Sequence, residues 1–93
     1  VITSFFKVGE SKIELLFPTA PESPIAKFLH TKGEGMHHTA FLVTDIEASL
    51  AQLKAKGFRL IHETPILGAD QKRIAFVHPK DTTGVLIELC EQL

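Results

Sequence analysis

Met36-His37-His38-Thr39-Ala40-Phe41-Leu42-Val43 runs straight into Thr44-Asp45, an apolar strand delivered to a helix N-cap. Ile46, Leu50 and Leu53 then recur at i, i+4 and i+7, and Gly57 follows, so the spacing predicts one amphipathic helix. Phe58-Arg59-Leu60-Ile61-His62 reads as a strand, and the segment holding Pro65, Gly68 and Asp70 as a loop. Arg73-Ile74-Ala75-Phe76-Val77-His78 and Val85-Leu86-Ile87-Glu88-Leu89-Cys90 read as a hairpin around Pro79-Lys80-Asp81-Thr82-Thr83-Gly84. From Met36 to Leu93 the order is strand, helix, strand, strand, strand. That order predicts an α+β fold, a βαβββ module whose mixed sheet curves around a cleft.

Toward the N-terminus, Val1–Val8 and Lys12–Phe17 flank Gly9-Glu10-Ser11 and predict a second hairpin with a three-residue loop. Pro21-Glu22-Ser23-Pro24 starts a helix, with Ser23 as N-cap and Pro24 at the first helical position. Ile25, Phe28 and Leu29 form its apolar face, and Thr31-Lys32-Gly33-Glu34-Gly35 ends it. Both helices are expected to pack on the convex side of the sheet.

The two hairpins resemble each other. Ile13-Glu14-Leu15 and Ile87-Glu88-Leu89 stand 74 residues apart, and each closes a hairpin whose first strand is rich in Phe, Val and Ile. The reading is one domain over residues 1–93, with 36–93 a complete module and 1–35 the end of another plus a connecting helix. A further strand and helix are then expected upstream, and the counterpart of His38 falls about 36 residues before Val1.

Composition narrows the classes. Apolar residues at 44% and charged residues at 23% exclude a disordered chain. Ten basic against eleven acidic side chains leave no electrostatic footprint for nucleic acid or an anionic membrane. No apolar run approaches the ~20 residues that span a bilayer. A single cysteine, Cys90, excludes a disulfide framework and suits a reducing compartment. There is no Ser-His-Asp arrangement and no Walker or Rossmann glycine loop.

Glu14 and Glu88 each interrupt an apolar strand, where a carboxylate is costly unless paired, protonated or bound to metal. His37 and His38 should point to opposite faces of their strand, so at most one meets the cleft. Taken singly, each Glu also reads as a solvated or lysine-paired residue, and the histidine as a satisfied core residue. Glu14, His38 and Glu88 together make an N/O ligand set for Co²⁺, Mn²⁺, Zn²⁺ or Ni²⁺, expected to converge inside the cupped sheet. His30 and His62 read as surface residues and His78 as a turn residue. Cys90 reads as small apolar packing, and Lys80-Asp81 as a turn that offers a cation to an anion.

The chain resembles the vicinal oxygen chelate (glyoxalase I) superfamily, and within it the methylmalonyl-CoA epimerases. The resemblance is carried by Ile13-Glu14-Leu15-Leu16-Phe17-Pro18, Glu22-Ser23-Pro24-Ile25-Ala26-Lys27-Phe28-Leu29, Gly35-Met36-His37-His38 and His78-Pro79-Lys80-Asp81, then Gly84 through Leu89. It implies a divalent-metal isomerase that interconverts (R)- and (S)-methylmalonyl-CoA through an enolate. His38, Glu88 and Glu14 would be metal ligands, the fourth a histidine upstream, and Co²⁺ the metal. Glu88 would also be the catalytic base. The family's further carboxylate base has no counterpart in Val1–Phe6. A homodimer, an acyl-CoA substrate, and a cytoplasmic or (in a eukaryote) mitochondrial location are implied as well. Lactoylglutathione lyase-like metalloenzymes and metal-free small-molecule binding modules are the alternatives within the superfamily.

Overall fold

Alternation and turn chemistry explain the first hairpin. The computed structural model describes residues 1–93, and in it β1 (Ile2–Val8) pairs antiparallel with β2 (Ser11–Phe17), Val8 opposite Ser11. The loop is therefore two residues, Gly9-Glu10, rather than three. Gly9 sits at φ 62°, which is open to glycine without steric cost, and that lets the strands close directly. The register puts Ile2, Phe6, Val8, Ile13, Leu15 and Phe17 on one face and Phe5, Lys7, Lys12, Glu14 and Leu16 on the other. The apolar face is open, with Leu15 57% and Phe17 65% exposed.

Helix α1 (Pro24–Lys32) begins where the sequence marks it. The Ser23 side chain accepts from the Ala26 N–H at 3.1 Å. It continues two residues into the predicted loop and stops at Gly33 (φ 74°), whose N–H bonds the Leu29 carbonyl. Ile25 is its buried residue. The chain divides here into two units, Val1–Gly35 and Met36–Leu93.

The second unit is a mixed four-stranded sheet ordered β3-β6-β5-β4 with one helix across it. Its strands are β3 (His38–Leu42), β4 (Ile66–Leu67), β5 (Lys72–Val77) and β6 (Leu86–Gln92). Edge strand β3 runs parallel to β6, and β5 is antiparallel to both its neighbours. Helix α2 (Ile46–Ala55) is N-capped by Asp45, whose carboxylate accepts from the Ala48 N–H. Its Ile46 and Leu50 pack on Ala75 and Leu89 to form the core, with Val43, Leu53, Leu60 and Ile87 around them. This is the expected α+β class, with β3, α2, β5 and β6 in the expected places.

One expected strand is missing. Phe58–His62 is irregular, with Leu60 alone bridging Val77. The Arg59 N–H is taken by the Asp81 carboxylate, and the Ile61 and His62 N–H groups both reach the single carbonyl of Phe76. With donors diverted in this way no regular ladder forms. Pro65, which has no N–H to give, then separates this bridge from β4, the short strand that takes the β5 edge inside the expected loop.

The register of the two hairpins agrees. Phe5 stands opposite Glu14 and Phe76 opposite Glu88, Ser4 opposite Leu15 and Ala75 opposite Leu89. The repeated Ile-Glu-Leu triplets thus occupy equivalent places in two independently described hairpins.

Candidate functional site

In the second unit the period of two assigns the side chains to faces. Ala75, Val77, Ile87 and Leu89 alternate onto the side that α2 covers. Ile74, Phe76, Leu86, Glu88 and Cys90 fall on the other side, and β3 adds His38, Ala40 and Leu42 to it, since His38 pairs Leu86 and Ala40 pairs Glu88. Parallel pairing brings together two residues 50 positions apart in the chain, His38 and Glu88.

His38 Nε2 lies 3.6 Å from Glu88 Oε1, with side chains 20% and 16% exposed. That is too long for a hydrogen bond. It is close to the roughly 3.0–3.5 Å that separates two ligands bound to one divalent ion at ~2.0–2.2 Å each. An imidazole nitrogen and a carboxylate oxygen at this spacing fit a borderline divalent metal in chemistry and in reach. The other Glu88 oxygen, Oε2, accepts from the Cys90 thiol at 2.8 Å. Phe76, opposite Glu88 in the ladder, meets the His38 ring edge-to-face at 6.2 Å and the His62 ring at 5.7 Å.

His37 does not oppose His38 as alternation predicts. Strand β3 starts only at His38, so His37 lies outside the pleat, and its Nδ1 is 3.0 Å from His38 Nδ1 with the rings edge-to-face. One of the two nitrogens donates and the other accepts. With His37 accepting, the His38 Nε2 lone pair is left for a cation, the arrangement that metal-bound histidines ordinarily adopt.

Glu14 is placed in the first unit, on the face of β2 that carries Phe5 and Lys12, the lysine ammonium 5.1 Å above the Phe5 ring. Neither unit by itself gathers three His, Cys, Asp or Glu side chains around a point. His62, expected at the surface, is half-buried. Its Nδ1 accepts from the Phe76 N–H at 3.1 Å, which ties the irregular segment to β5. The broken strand hides this role from a reading that assumes regular alternation. His78 is a turn residue, as expected. Its Nδ1 accepts from the Lys80 N–H.

The Lys80-Asp81 turn is held by its acid, because both Asp81 oxygens bind the Arg59 guanidinium, at 3.1 and 3.3 Å. The Arg59 side chain and then its backbone N–H hold the Asp81 pKa below the usual carboxylate range. Glu91 on β6 accepts from the Ile46 N–H at 2.8 Å and pairs with Arg73 at 3.5 Å. The Arg73 guanidinium also reaches Glu47, 2.6 Å away. Sequence reasoning missed this acid because its partner is the first turn of a helix 45 residues earlier.

The chain belongs to the Glyoxalase/Bleomycin resistance protein/Dioxygenase superfamily, whose family model matches residues 1–76. Among similar proteins, the uncharacterized protein YqjC of Bacillus subtilis (strain 168) is 44% identical over 98% of this chain and 65% of its own length. The mitochondrial methylmalonyl-CoA epimerase of Homo sapiens is 45% identical over 91% of this chain and 49% of its own length. The crystal structure of methylmalonyl-CoA epimerase from Mycobacterium tuberculosis superposes with a TM-score of 0.84 at 41% identity, covering 98% of this chain and 62% of that one. A methylmalonyl-CoA epimerase in complex with methylmalonyl-CoA and NH4+ gives a TM-score of 0.84 at 36% identity, over 97% of this chain and 67% of that one. The chain thus spans about half to two thirds of the length of these relatives. No helix is long and apolar enough to cross a membrane.

Proposed function

We propose that these residues belong to the active site of a divalent-metal-dependent methylmalonyl-CoA epimerase, with His38 and Glu88 as metal ligands and Glu14 as a third. The observation that carries the reading is the His38–Glu88 pair, a nitrogen and an oxygen donor 3.6 Å apart on the sheet face that α2 leaves open. The likeness to curated epimerases and the matching register of Glu14 and Glu88 support it.

The substrate's α-hydrogen lies between a thioester and a carboxylate, and the barrier to removing it is the charge of the enolate. A divalent ion (Co²⁺, with Mn²⁺, Ni²⁺ or Zn²⁺ as alternatives) held by His38, Glu88 and Glu14 would supply Lewis-acid stabilisation of the enolate charge. Glu88 is the candidate base, a carboxylate whose Oε2 accepts from the Cys90 thiol and whose Oε1 faces His38 Nε2. Phe76 stands opposite Glu88 on β5 and meets the His38 ring edge-to-face. His38 holds its place through His37 and the edge of Phe76.

The test is α-proton exchange. The naturally expressed protein is incubated with (S)-methylmalonyl-CoA in D₂O, and deuterium uptake is followed by mass spectrometry. Uptake is expected to stop on dialysis against a chelator, to return with Co²⁺, and to fall by at least ~10²-fold in Glu88→Gln. Absence of exchange, with turnover of the glutathione hemithioacetal of methylglyoxal instead, would move the assignment to the lyase alternative.

A further inference from the structure

The two oxygens of Glu88 are not equivalent. Oε1 is directed at His38 Nε2, while Oε2 lies 2.8 Å from Cys90 Sγ. An ionised carboxylate only accepts, so the thiol is the donor. Cys90 sits two residues further along β6 on the same face, opposite Leu42 on one side and Ile74 on the other, and is 6% exposed. A side chain so enclosed has little freedom, whereas Glu88 has three rotatable bonds and sits across from a flat Phe76 ring that offers it no hydrogen bond. The hydrogen bond that the Glu88 carboxylate accepts comes from the Cys90 thiol, and its other contact is His38 at 3.6 Å.

We propose that Cys90 is a positioning residue. Its S–H holds Glu88 Oε2, so that Oε1 stays aimed at His38 and the pair is preorganised for a divalent cation. The proposal rests on the reading of His38 and Glu88 as ligands. It assigns Cys90 a task beyond packing, which was the expectation from its small apolar character. Outer partners of metal-binding carboxylates typically contribute about 10- to 100-fold in affinity, and a weak S–H donor belongs at the lower end.

The experiment compares Cys90→Val, which keeps the apolar bulk and removes the donor, with Cys90→Ser, which restores a donor. Cys90→Ala repeats the comparison without added volume if the valine variant does not fold. Co²⁺ affinity is measured by isothermal titration calorimetry on the naturally expressed protein, alongside the thermal midpoint. The expected result is an about tenfold loss of Co²⁺ affinity in the valine or alanine variant, with Cys90→Ser within about twofold of the parent. A structural role alone would make affinity track thermal stability and would give serine no advantage. Either that pattern, or parental affinity in the valine or alanine variant, overturns the proposal. Glu88→Gln separates the two levels. If it binds Co²⁺ like the parent, the ligand reading fails and the proposal with it. If it loses Co²⁺ while Cys90→Val does not, only the role of Cys90 fails.

Discussion

Replacing Glu91 tests how the helix is fastened to the strand that carries the site. Glu91 Oε1 accepts the Ile46 N–H at 2.8 Å, satisfying a donor in the first turn of α2 that has no partner within the helix. The Asp45 cap serves a different donor, that of Ala48, so it does not replace Glu91. The Glu91 side chain is 20% exposed, enough enclosure for the bond to be worth the ~1.5–3 kcal/mol of a hydrogen bond to a charged group. Part of that worth, about 0.3–1 kcal/mol, is the charge at the positive end of α2, and the Arg73 contact at 3.5 Å adds little. Glu91→Ala should therefore lose about 1.5–3 kcal/mol. At ~4–8 °C per kcal/mol for a domain of this size, the thermal midpoint should fall by about 10–20 °C. Glu91→Gln keeps an oxygen for the Ile46 N–H and loses only the charge, so about 1 kcal/mol is expected. Thermal and urea unfolding followed by circular dichroism measure both. A Glu91→Ala midpoint within about 2 °C of the parent would refute the reasoning, and equal losses in the two variants would place the effect in charge rather than in the cap.

Three further substitutions test other parts of the fold. Leu50, 2% exposed in the core, should lose ~2–5 kcal/mol on truncation to alanine, read by urea unfolding. At Gly68 an added Cβ would lie 2.9 Å from two Ile74 side-chain carbons, so Gly68→Ala should lose ~1–3 kcal/mol, and Ile74→Val in the same chain should recover part of it. The depressed pKa of Asp81 contributes stability that is fully present above the unfolded pKa of about 3.9 and is lost as pH falls through the lower folded value. Asp81→Asn should therefore flatten the fall of the thermal midpoint below about pH 4 relative to the parent.

Local chemistry made much of the fold legible. Ser23-Pro24 and Thr44-Asp45 mark both helix starts because capping is decided within four residues, and alternation places the hairpin strands to within a residue or two. What escaped the sequence depends on distant donors and acceptors. Phe58–His62 has strand composition, yet Asp81 takes the Arg59 N–H, and nothing local announces that. His62 and Glu91 are legible only once the partners 14 and 45 residues away are known. For the candidate site, the choice of Glu88 and His38 needed the repeat and the family resemblance. Cys90 read as packing because a thiol gives no sign in the sequence of what it donates to. Alternation misplaces His37 because the strand begins only at His38.

The core and the candidate site constrain each other through the register of β6. Ala75, Leu89 and Ile87 lie against α2 only while Ala40 pairs Glu88 and Phe76 pairs Glu88. A slip of one residue would carry Glu88 and Cys90 beneath Leu50 and expel Leu89 to the open face. Burying a carboxylate there without a partner, while losing the burial of a leucine that is 7% exposed, costs several kcal/mol on both counts. The packing of α2 on one side of the sheet thus holds Glu88 beside His38 on the other, although α2 contributes no residue to the pair. A small, well-buried core is sufficient for this because the alternation is binary: each of these residues is either under the helix or on the open face. The site needs no separate device to choose the face on which its carboxylate appears. What the core leaves undetermined is the rotation of that carboxylate about its own side-chain bonds, and that is the freedom the Cys90 thiol removes.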